Sequence, residues 1–420
     1  PKALARRRAN RAYRGMLSRR LFCPHLEKGE GPRLWLNGVS VGEVASARPL
    51  VEALEKKYPG SRLVISCSTG TGYQRASELY GARHDVIGYP LDFSFIAGRF
   101  LRKIKPDMVV MMELDLWPNF LMQCAEQKVP VLVVGGRLSE SSTSGYEKIK
   151  PFLSSAFEAV HRFMGQDEED ARRALRIGFR PGQVCVGGNL KFDALETVRR
   201  PAAELGLPVD KDGQRLLVLA STHEPEEAML FGALEKLPAE LLKTWGRIVV
   251  PRHPERCQGL ERWLEKRGHQ CRRYSDLKGA ALWKASSGEI LLVDVIGVLS
   301  RLYHLSDVVF VGGSLIPHGG QNMMEPAALG CAVCYGPHVK NFRQAAELLR
   351  KARGVMEIAG ESGLSASLTR MLGDAAWRDD LGRRGASAVA GQQGATQRAL
   401  SEIEKMLGAC QAIEIAPRVP

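Results

Sequence analysis

Short apolar runs alternate with stretches of helical period along almost the whole chain. In the first half the runs fall at residues 34–36, 63–66 and 86–89, at Met108–Met112, and at 131–134 and 185–187. Amphipathic stretches fill the gaps, among them 44–57, 95–103 and 118–127. Pro59-Gly60 and Lys105-Pro106-Asp107 punctuate them as turns. The run Met108–Met112 has almost no polar alternation, which predicts a strand covered on both faces. The alternation restarts at 215–220, 247–250, 289–293, Val308–Val311 and Ala332–Tyr335. Repeated strand–helix–strand units of this kind predict parallel sheets.

Residues 196–214 break the pattern with two prolines, several charges and no apolar run, and read as an interdomain linker. The chain then divides into a basic N-terminal arm (1–30), a first domain (31–195), the linker, a second domain (215–385), and a C-terminal helix and tail (386–420). A long helix is expected over 386–407, with 411–420 as the tail. The predicted fold class is α/β: two Rossmann-like, doubly wound domains facing a cleft. Two-domain glycosyltransferases, some epimerases and periplasmic-type binding proteins share that arrangement, so it does not assign a function by itself.

Composition adds a charge argument. With 45% hydrophobic and 25% charged residues over 420 positions, the chain is ordinary for a folded globular protein. Its net charge of +13 points to an anionic partner: nucleic acid, a phosphorylated substrate or an anionic membrane surface. Lys2, Arg6, Arg7, Arg8, Arg11, Arg14, Arg19 and Arg20, unopposed by any acid, supply eight of the thirteen charges within residues 1–20. As a helix this arm would lie on anionic lipid, and as a tail it would simply be solvated. No nucleic-acid recognition motif accompanies it. No apolar run reaches the roughly eighteen residues that a membrane-spanning helix needs. Nine cysteines, scattered mostly through apolar runs, predict reduced thiols in a cytosolic setting. Cys331-Ala-Val-Cys334 lies in an apolar run without a second Cys/His pair to complete a metal site.

Candidate chemistry sits where strands end. Ser40-Val41-Gly42-Glu43 places a carboxylate at a strand-to-helix turn, the position where open α/β sheets bind ligands. The same acid equally suits a helix dipole. Glu113 and Asp115, in Glu113-Leu114-Asp115-Leu116-Trp117-Pro118-Asn119, follow the apolar run, with Asp115 also placed to cap a helix opened by Pro118. Gly187-Gly188-Asn189-Leu190-Lys191-Phe192-Asp193 brings a lysine to a glycine-rich strand exit, suited to a phosphate or to a developing negative charge. Ser221-Thr222-His223-Glu224-Pro225-Glu226-Glu227 reads as a helix start with a capping box, whose free N–H groups also suit a phosphate. In Pro251-Arg252-His253-Pro254-Glu255-Arg256 the prolines hold Arg252 where a phosphate pairs with it, or where a surface acid does. The densest glycine signal is Gly312-Gly313-Ser314-Leu315 with Gly319-Gly320-Gln321-Asn322-Met323-Met324-Glu325, a loop opening into a helix whose N-terminus would face a nucleotide phosphate. Glu325 there suits ribose hydroxyls, or only the helix dipole. No dinucleotide fingerprint or P-loop is present. The one Asp-x-Asp, Asp210-Lys211-Asp212, falls in the linker, so a metal-bridged sugar diphosphate lacks an obvious ligand set.

Taken in order, the motifs at 40–43, 113–119, 188–193, 251–256 and 312–325 resemble the 3-deoxy-D-manno-octulosonic acid (Kdo) transferases of Gram-negative bacteria, over about residues 33–400. The resemblance implies the GT-B glycosyltransferase architecture and a metal-independent, inverting enzyme without a cofactor. Its donor substrate would be CMP-Kdo and its acceptor a lipid A precursor, in lipopolysaccharide biosynthesis. It implies Glu43 as catalytic base, with Glu113 and Lys191 stabilising the transition state. It implies CMP contacts at Pro251, Arg252, Ile296, Gly297, Val298, Asn322, Met323, Met324 and Glu325. Members are anchored at the cytoplasmic face of the inner membrane by an N-terminal apolar segment. That anchor segment is not present in this chain, so the basic arm would meet the anionic membrane surface, and no nucleic acid is expected as a partner. Asn37 stands where a histidine is usual, Asp115 replaces the commoner glutamate, and Gln321 replaces a histidine. Val298 replaces an acid, and Met323-Met324 replace a Pro-Leu pair.

Overall fold

The structure, a computed structural model, describes residues 15–27, 29–113, 116–277 and 282–415, with the backbone alone over 410–415. Asp115, the Cys410 side chain and half of the basic arm, with Lys2, Arg6, Arg7, Arg8, Arg11 and Arg14, lie outside the described residues. The chain forms two compact units, residues 1–194 with 392–420 and residues 195–391.

The first unit is a seven-stranded parallel sheet: β1 (Leu34–Asn37), β2 (Val64–Cys67), β3 (Asp85–Gly88), β4 (Met108–Met112), β5 (Val131–Gly136), β6 (Val160–Gly165) and β7 (Val184–Val186). Their order is β3-β2-β1-β4-β5-β6-β7. All five residues of β4 are buried, as its unbroken apolar run predicts. Alternate residues of β1 feed different cores. Trp35 packs with Tyr89, Phe100 and Phe120 on one face, its ring edge-on to Phe120 at 5.1 Å. Leu34 and Leu36 join Val110, Met112, Ile403 and Leu407 on the other. The Trp35 indole N–H donates to Ser66 Oγ at 2.8 Å, and Ser66 donates to Asn37 Oδ1 at 2.8 Å, so the polar end of β1 is satisfied although buried.

The helix expected over 44–57 is two helices, Val41–Ser46 and Arg48–Lys57. Pro49 lies in the first turn of the second, where its missing N–H breaks no helical bond. The helix Pro118–Glu126 starts at its proline. Its N-terminus is capped from another loop, by Asp92, whose carboxylate accepts from Phe120 N at 2.8 Å and Asn119 N at 3.3 Å. At the other end of the sequence, the single helix expected over 386–407 is Ala375–Ala390 and Ala395–Ile415. Gly394, at φ +96°, makes the break, and the chain passes from one unit to the other there. The last helix buries Ala395, Ala399, Leu400 and Ile403 against the first unit.

The second unit carries β9 (Arg215–Thr222), β10 (Trp245–Pro251), β11 (Cys271–Arg273), β13 (Ile290–Leu292), β14 (Val308–Val311), β15 (Ala332–Tyr335) and β16 (Met356–Glu357), in the order β11-β13-β10-β9-β14-β15-β16. A two-residue pair, β8 (Val209–Asp210) with β12 (Trp283–Lys284), stands apart. Its first strand, β8, lies in the stretch read as a linker, which is docked on the second unit instead. Leu205, Leu207 and Val209 are buried, Arg301 Nη1 donates to Leu205 O at 3.0 Å, and Lys211 pairs with Asp307 at 2.7 Å.

The two arginines of the basic arm that are described, Arg19 and Arg20, are also docked. Arg19 lies over the Tyr73 ring at 4.4 Å, and Arg20 Nε donates to Tyr89 O at 2.9 Å. Among the described residues no helix is long and apolar enough to cross a membrane.

Because Ile403 is fully buried in the first unit, Ile403→Ala is expected to cost about 2–4 kcal/mol. Chemical unfolding followed by circular dichroism should show that loss in the transition of the first unit.

Candidate active site and donor site

In the first unit the chain runs from β1 through β2 to β3 on one side, then returns to place β4 through β7 on the other. The switch point therefore lies between β1 and β4, where open sheets of this kind form their ligand crevice. Glu43 follows β1 and Glu113 follows β4, so both acids leave the carboxyl ends of adjacent strands.

Ser40 opens the helix Val41–Ser46 with an extended backbone, and its hydroxyl accepts from Glu43 N at 3.3 Å. The hydroxyl in turn donates to Glu43 Oε1 at 2.7 Å, while Val39 N donates to Oε2 at 2.8 Å. Glu43 thus fills the helix-end role and has its carboxylate held in one orientation, half-buried. Glu113 sits at φ +56°, in the left-handed region that a non-glycine residue enters at a cost of order 1–3 kcal/mol. Its N–H still donates to Val134 O at 3.0 Å, so the ladder is intact and only the side chain is redirected. That carboxylate pairs with the Lys191 ammonium. The lysine is 47% exposed and the glutamate 25%, so the pair adds no more than about 1 kcal/mol to stability. Stability does not account for the strained turn that makes it.

Lys191 is held by backbone chemistry. Gly187 N and Gly188 N both donate to Gly165 O, at 2.8 and 3.2 Å, which folds the strand exit back over β6. Gly188 is at φ +84°, and a Cβ there would lie 2.6 Å from Arg398 Nη2. Asn189 accepts from Lys191 N at 2.9 Å and donates to Gln166, which donates to Gly135 O. The last helix closes the loop from outside: Asp193 accepts from Gly394 N and Thr396 N, and Arg398 Nε donates to Gly187 O at 2.8 Å. The helix Leu190–Asp193 packs on Val41–Ser46, so Glu43, Glu113 and Lys191 stand on adjoining elements.

In the second unit the switch point lies between β9 and β14, and the glycine-rich loop after β14 is built differently from expectation. A Cβ on Gly312 would lie 2.5 Å from Ser221 O and 2.7 Å from Thr222 Cα. The glycine is needed because another strand's backbone passes there, with Ser221 at φ +54°. The N–H groups of Gly313, Ser314 and Leu315 donate to the fully buried Glu226 carboxylate, at 2.7, 2.9 and 2.9 Å. These N–H groups are therefore unavailable to a nucleotide phosphate. The capping box expected at Ser221–Thr222 is also absent: the helix begins at Glu226, which accepts from His223 N at 3.0 Å.

The remaining donor-site candidates divide by exposure. Arg252 is exposed, its side chain has no partner among the described residues, and its N–H is fixed to Thr222 O at 3.0 Å. Pro251 is buried at the end of β10. Ile296 is 90% exposed beside Gly297, which is at φ +88°, whereas Val298 is buried. Met323 and Met324 are buried core residues, so only their backbone can meet a ligand. Their helix, Met324–Ala328, is only five residues long, and its first turn is satisfied by Asn322, which accepts from Met324 N at 3.0 Å. That leaves too little helix for the dipole argument. Asn322 also donates to Glu325 Oε1 at 2.8 Å, and burial pushes the Glu325 carboxyl above its usual range against that bond. Cys331 and Cys334 are thiols held up to about 12 by burial. Among the described residues no group of three His, Cys, Asp or Glu side chains is arranged to hold a metal.

A family model described as 3-deoxy-D-manno-octulosonic-acid transferase (kdotransferase) matches residues 14–194. The 3-deoxy-D-manno-octulosonic acid transferase of Haemophilus influenzae is 31% identical over 385 residues, covering 89% of this chain and 87% of that protein. That of Bordetella pertussis is 32% identical over 394 residues, with the same coverage of 89% and 87%. Among solved structures, the UDP-GlcNAc 2-epimerase of Neisseria meningitidis bound to UDP-GlcNAc superposes with a TM-score of 0.60 at 14% identity, covering 89% of this chain and all of that one, a likeness of fold alone. With the Glu43, Glu113 and Lys191 motifs inside the matched region, and relatives aligned over nearly the full length, the chain belongs to the 3-deoxy-D-manno-octulosonic acid transferase family of glycosyltransferases.

Proposed function

We propose that this protein transfers Kdo from CMP-Kdo to a lipid A precursor, with inversion, without a metal or cofactor, at the anionic surface of the inner membrane. The observation that carries the reading is the fixed Glu43 carboxylate at the carboxyl end of β1, on an element adjoining the Glu113–Lys191 pair. Glu43 takes the proton from an acceptor sugar hydroxyl as that oxygen attacks the anomeric carbon of Kdo. The bond from that carbon to the phosphate oxygen breaks, and its electron pair leaves with CMP. One displacement by one oxygen inverts the anomeric centre. Lys191, steered by Glu113, offsets negative charge near the reacting carbon.

On the second unit, Arg252 offers an exposed guanidinium to the donor. Exposed Ile296 and Gly297, the Asn322 side chain, the Met323–Met324 backbone and Glu325 serve the rest of the nucleotide, while Pro251 and Val298 shape the wall from inside. The net charge of +13 suits a phosphorylated glycolipid on an anionic membrane. Phe22, Phe93 and Phe95 add exposed apolar surface close to the docked arginines, with Leu91 N bonded to Arg20 O at 3.2 Å. Lipid, rather than nucleic acid, fits that mixture of aromatic and basic groups.

The central experiment incubates the protein with CMP-Kdo and a tetra-acylated lipid A precursor and reads the product mass. Glu43→Gln is expected to keep the fold and lose roughly 10²–10⁴ of the rate. Wild-type turnover by that variant would reject the base. Lys191→Ala should lower kcat about 10²–10³-fold, yet shift unfolding by less than about 1 kcal/mol. Chelation with EDTA should leave the initial rate unchanged, and a rate restored only by added divalent ion would refute the metal-free mechanism.

A further inference from the structure

Three histidines meet at the switch point of the second unit, and none of them belongs to the Glu43, Glu113 and Lys191 group. His223 follows β9, His253 follows β10, and His318 lies in the loop after β14. The His223 ring is 4.1 Å from that of His318 and 5.8 Å from that of His253, centroid to centroid. His223 is only 7% exposed, and its Nε2 has no hydrogen-bond partner among the described residues. Beside it the fully buried Thr222 hydroxyl is equally without a partner. Buried polar atoms left unpaired are rare and mark a place where a ligand supplies the missing bond.

The backbone around the rings is shaped to match. Gly313 is at φ +66°, and a Cβ built on it would lie 3.5 Å from His223 Cδ2, 3.6 Å from His223 Nε2 and 3.6 Å from His318 Cδ2. The bare glycine keeps that face of both imidazoles open. The His318 loop is pinned by Gly320 N to Gly313 O at 2.7 Å and by Asn341 Nδ2 to His318 O at 3.3 Å. Arg252, exposed and without a side-chain partner among the described residues, immediately precedes His253.

The charges point to an anion. The charged and titratable groups facing His223 are His318 and His253 from the neighbouring loops, Arg256 from the His253 loop, and Glu226 and Glu227 from the helix that follows. Glu226 is consumed by four backbone N–H donors. Glu227 is taken by Arg256, at 3.0 and 3.3 Å, and the one acid by His253, Glu255, is 3.7 Å from its Nδ1. Among the described residues, the acids nearest the His223 ring are thus committed to other partners, and exposed Glu255 reaches only His253 at the rim. Burial, and then the charges of His318 and His253, hold the His223 imidazole below its usual range, against a smaller pull from Glu227. An anion between the rings reverses the balance.

We propose that His223 and His318, with Arg252 and His253 at the rim, seat the phosphate of the donor nucleotide and take up a proton as it binds. The inference rests on the donor reading given above. It assigns a role during transfer as well. When the bond to the sugar breaks, the phosphate passes from monoanion to dianion, and the protonated imidazole beside it holds the added charge while Glu43 keeps the acceptor's proton.

The sign follows from linkage. The imidazole starts low and is raised by the bound anion, so between those two values binding takes up a proton and affinity falls as pH rises. The test uses calorimetry with the 5′-methyl phosphate ester of cytidine, which stays a monoanion across the range, with cytidine and inorganic phosphate as further arms. Wild-type affinity for the ester is expected to fall roughly tenfold between about pH 5.5 and about pH 8, with buffer-dependent heats showing proton uptake. Cytidine should show neither effect, and inorganic phosphate should compete with the ester alone. His318→Gln, at an exposed position, and His223→Asn should each weaken the ester roughly tenfold and flatten its pH profile, with cytidine binding and the melting temperature unchanged. A folded His318→Gln protein with wild-type affinity and profile overturns the proposal. A wild type that binds the uridine ester instead of the cytidine ester overturns the donor reading alone, and the same variants and pH series on the uridine ester then decide the phosphate seat.

Discussion

The carboxylate of Asp193 is where the first unit is closed. It accepts from Gly394 N and Thr396 N, joining residues some two hundred positions apart, at the point where the chain has just returned from the second unit. Hydrogen bonds to a charged acceptor are worth about 1.5–3 kcal/mol each, several times the exposed Glu113–Lys191 pair. The order of magnitudes decides which contact positions which. The helix clamp fixes the glycine turn, the turn fixes Lys191, and Lys191 meets a glutamate already aimed by its own left-handed backbone. Arg398 on Gly187 O and Gln393 on Phe192 O repeat the clamp on either side.

The second unit uses a buried acid for the opposite purpose. Glu226 occupies a nest of backbone N–H groups that in many nucleotide-binding loops would face a phosphate. An internal anion there rigidifies the loop and sends an external one to the side chains around it. The side chains that line that edge include Arg252, Arg256 and the three imidazoles.

Much of this was legible in the sequence. The unbroken apolar runs became β1 to β5, β9, β10, β13, β14 and β15, because strands buried on both faces leave little room for polar residues. The motifs also showed that Glu43, Glu113 and Lys191 follow strands, whatever their roles. Strands with polar faces were not legible: β6 carries His161 and Arg162, and β11 is Cys271-Arg272-Arg273 at the sheet edge. Glycines advertised a close approach at Gly312 without saying that the approaching object is the chain itself. Neither the Asp193 clamp nor the anchorage of residues 196–214 had a local signal, since their partners lie about a hundred to two hundred residues away. His318 carries no local signal, because Ile316, Pro317 and His318 match no motif, and its meaning comes only from the His223 ring against it.

The crossing at residue 391 has a consequence for biosynthesis. The ribosome makes all of residues 195–391 before it makes the helix that packs on Arg48–Lys57, on Leu190–Asp193 and on β5. The inserted unit therefore has its complete sequence while the flanking one still lacks Ala395, Ala399 and Ile403 from its core, inverting the usual order in which N-terminal portions mature first. Until that helix is made, the apolar residues it would cover are a site for a chaperone.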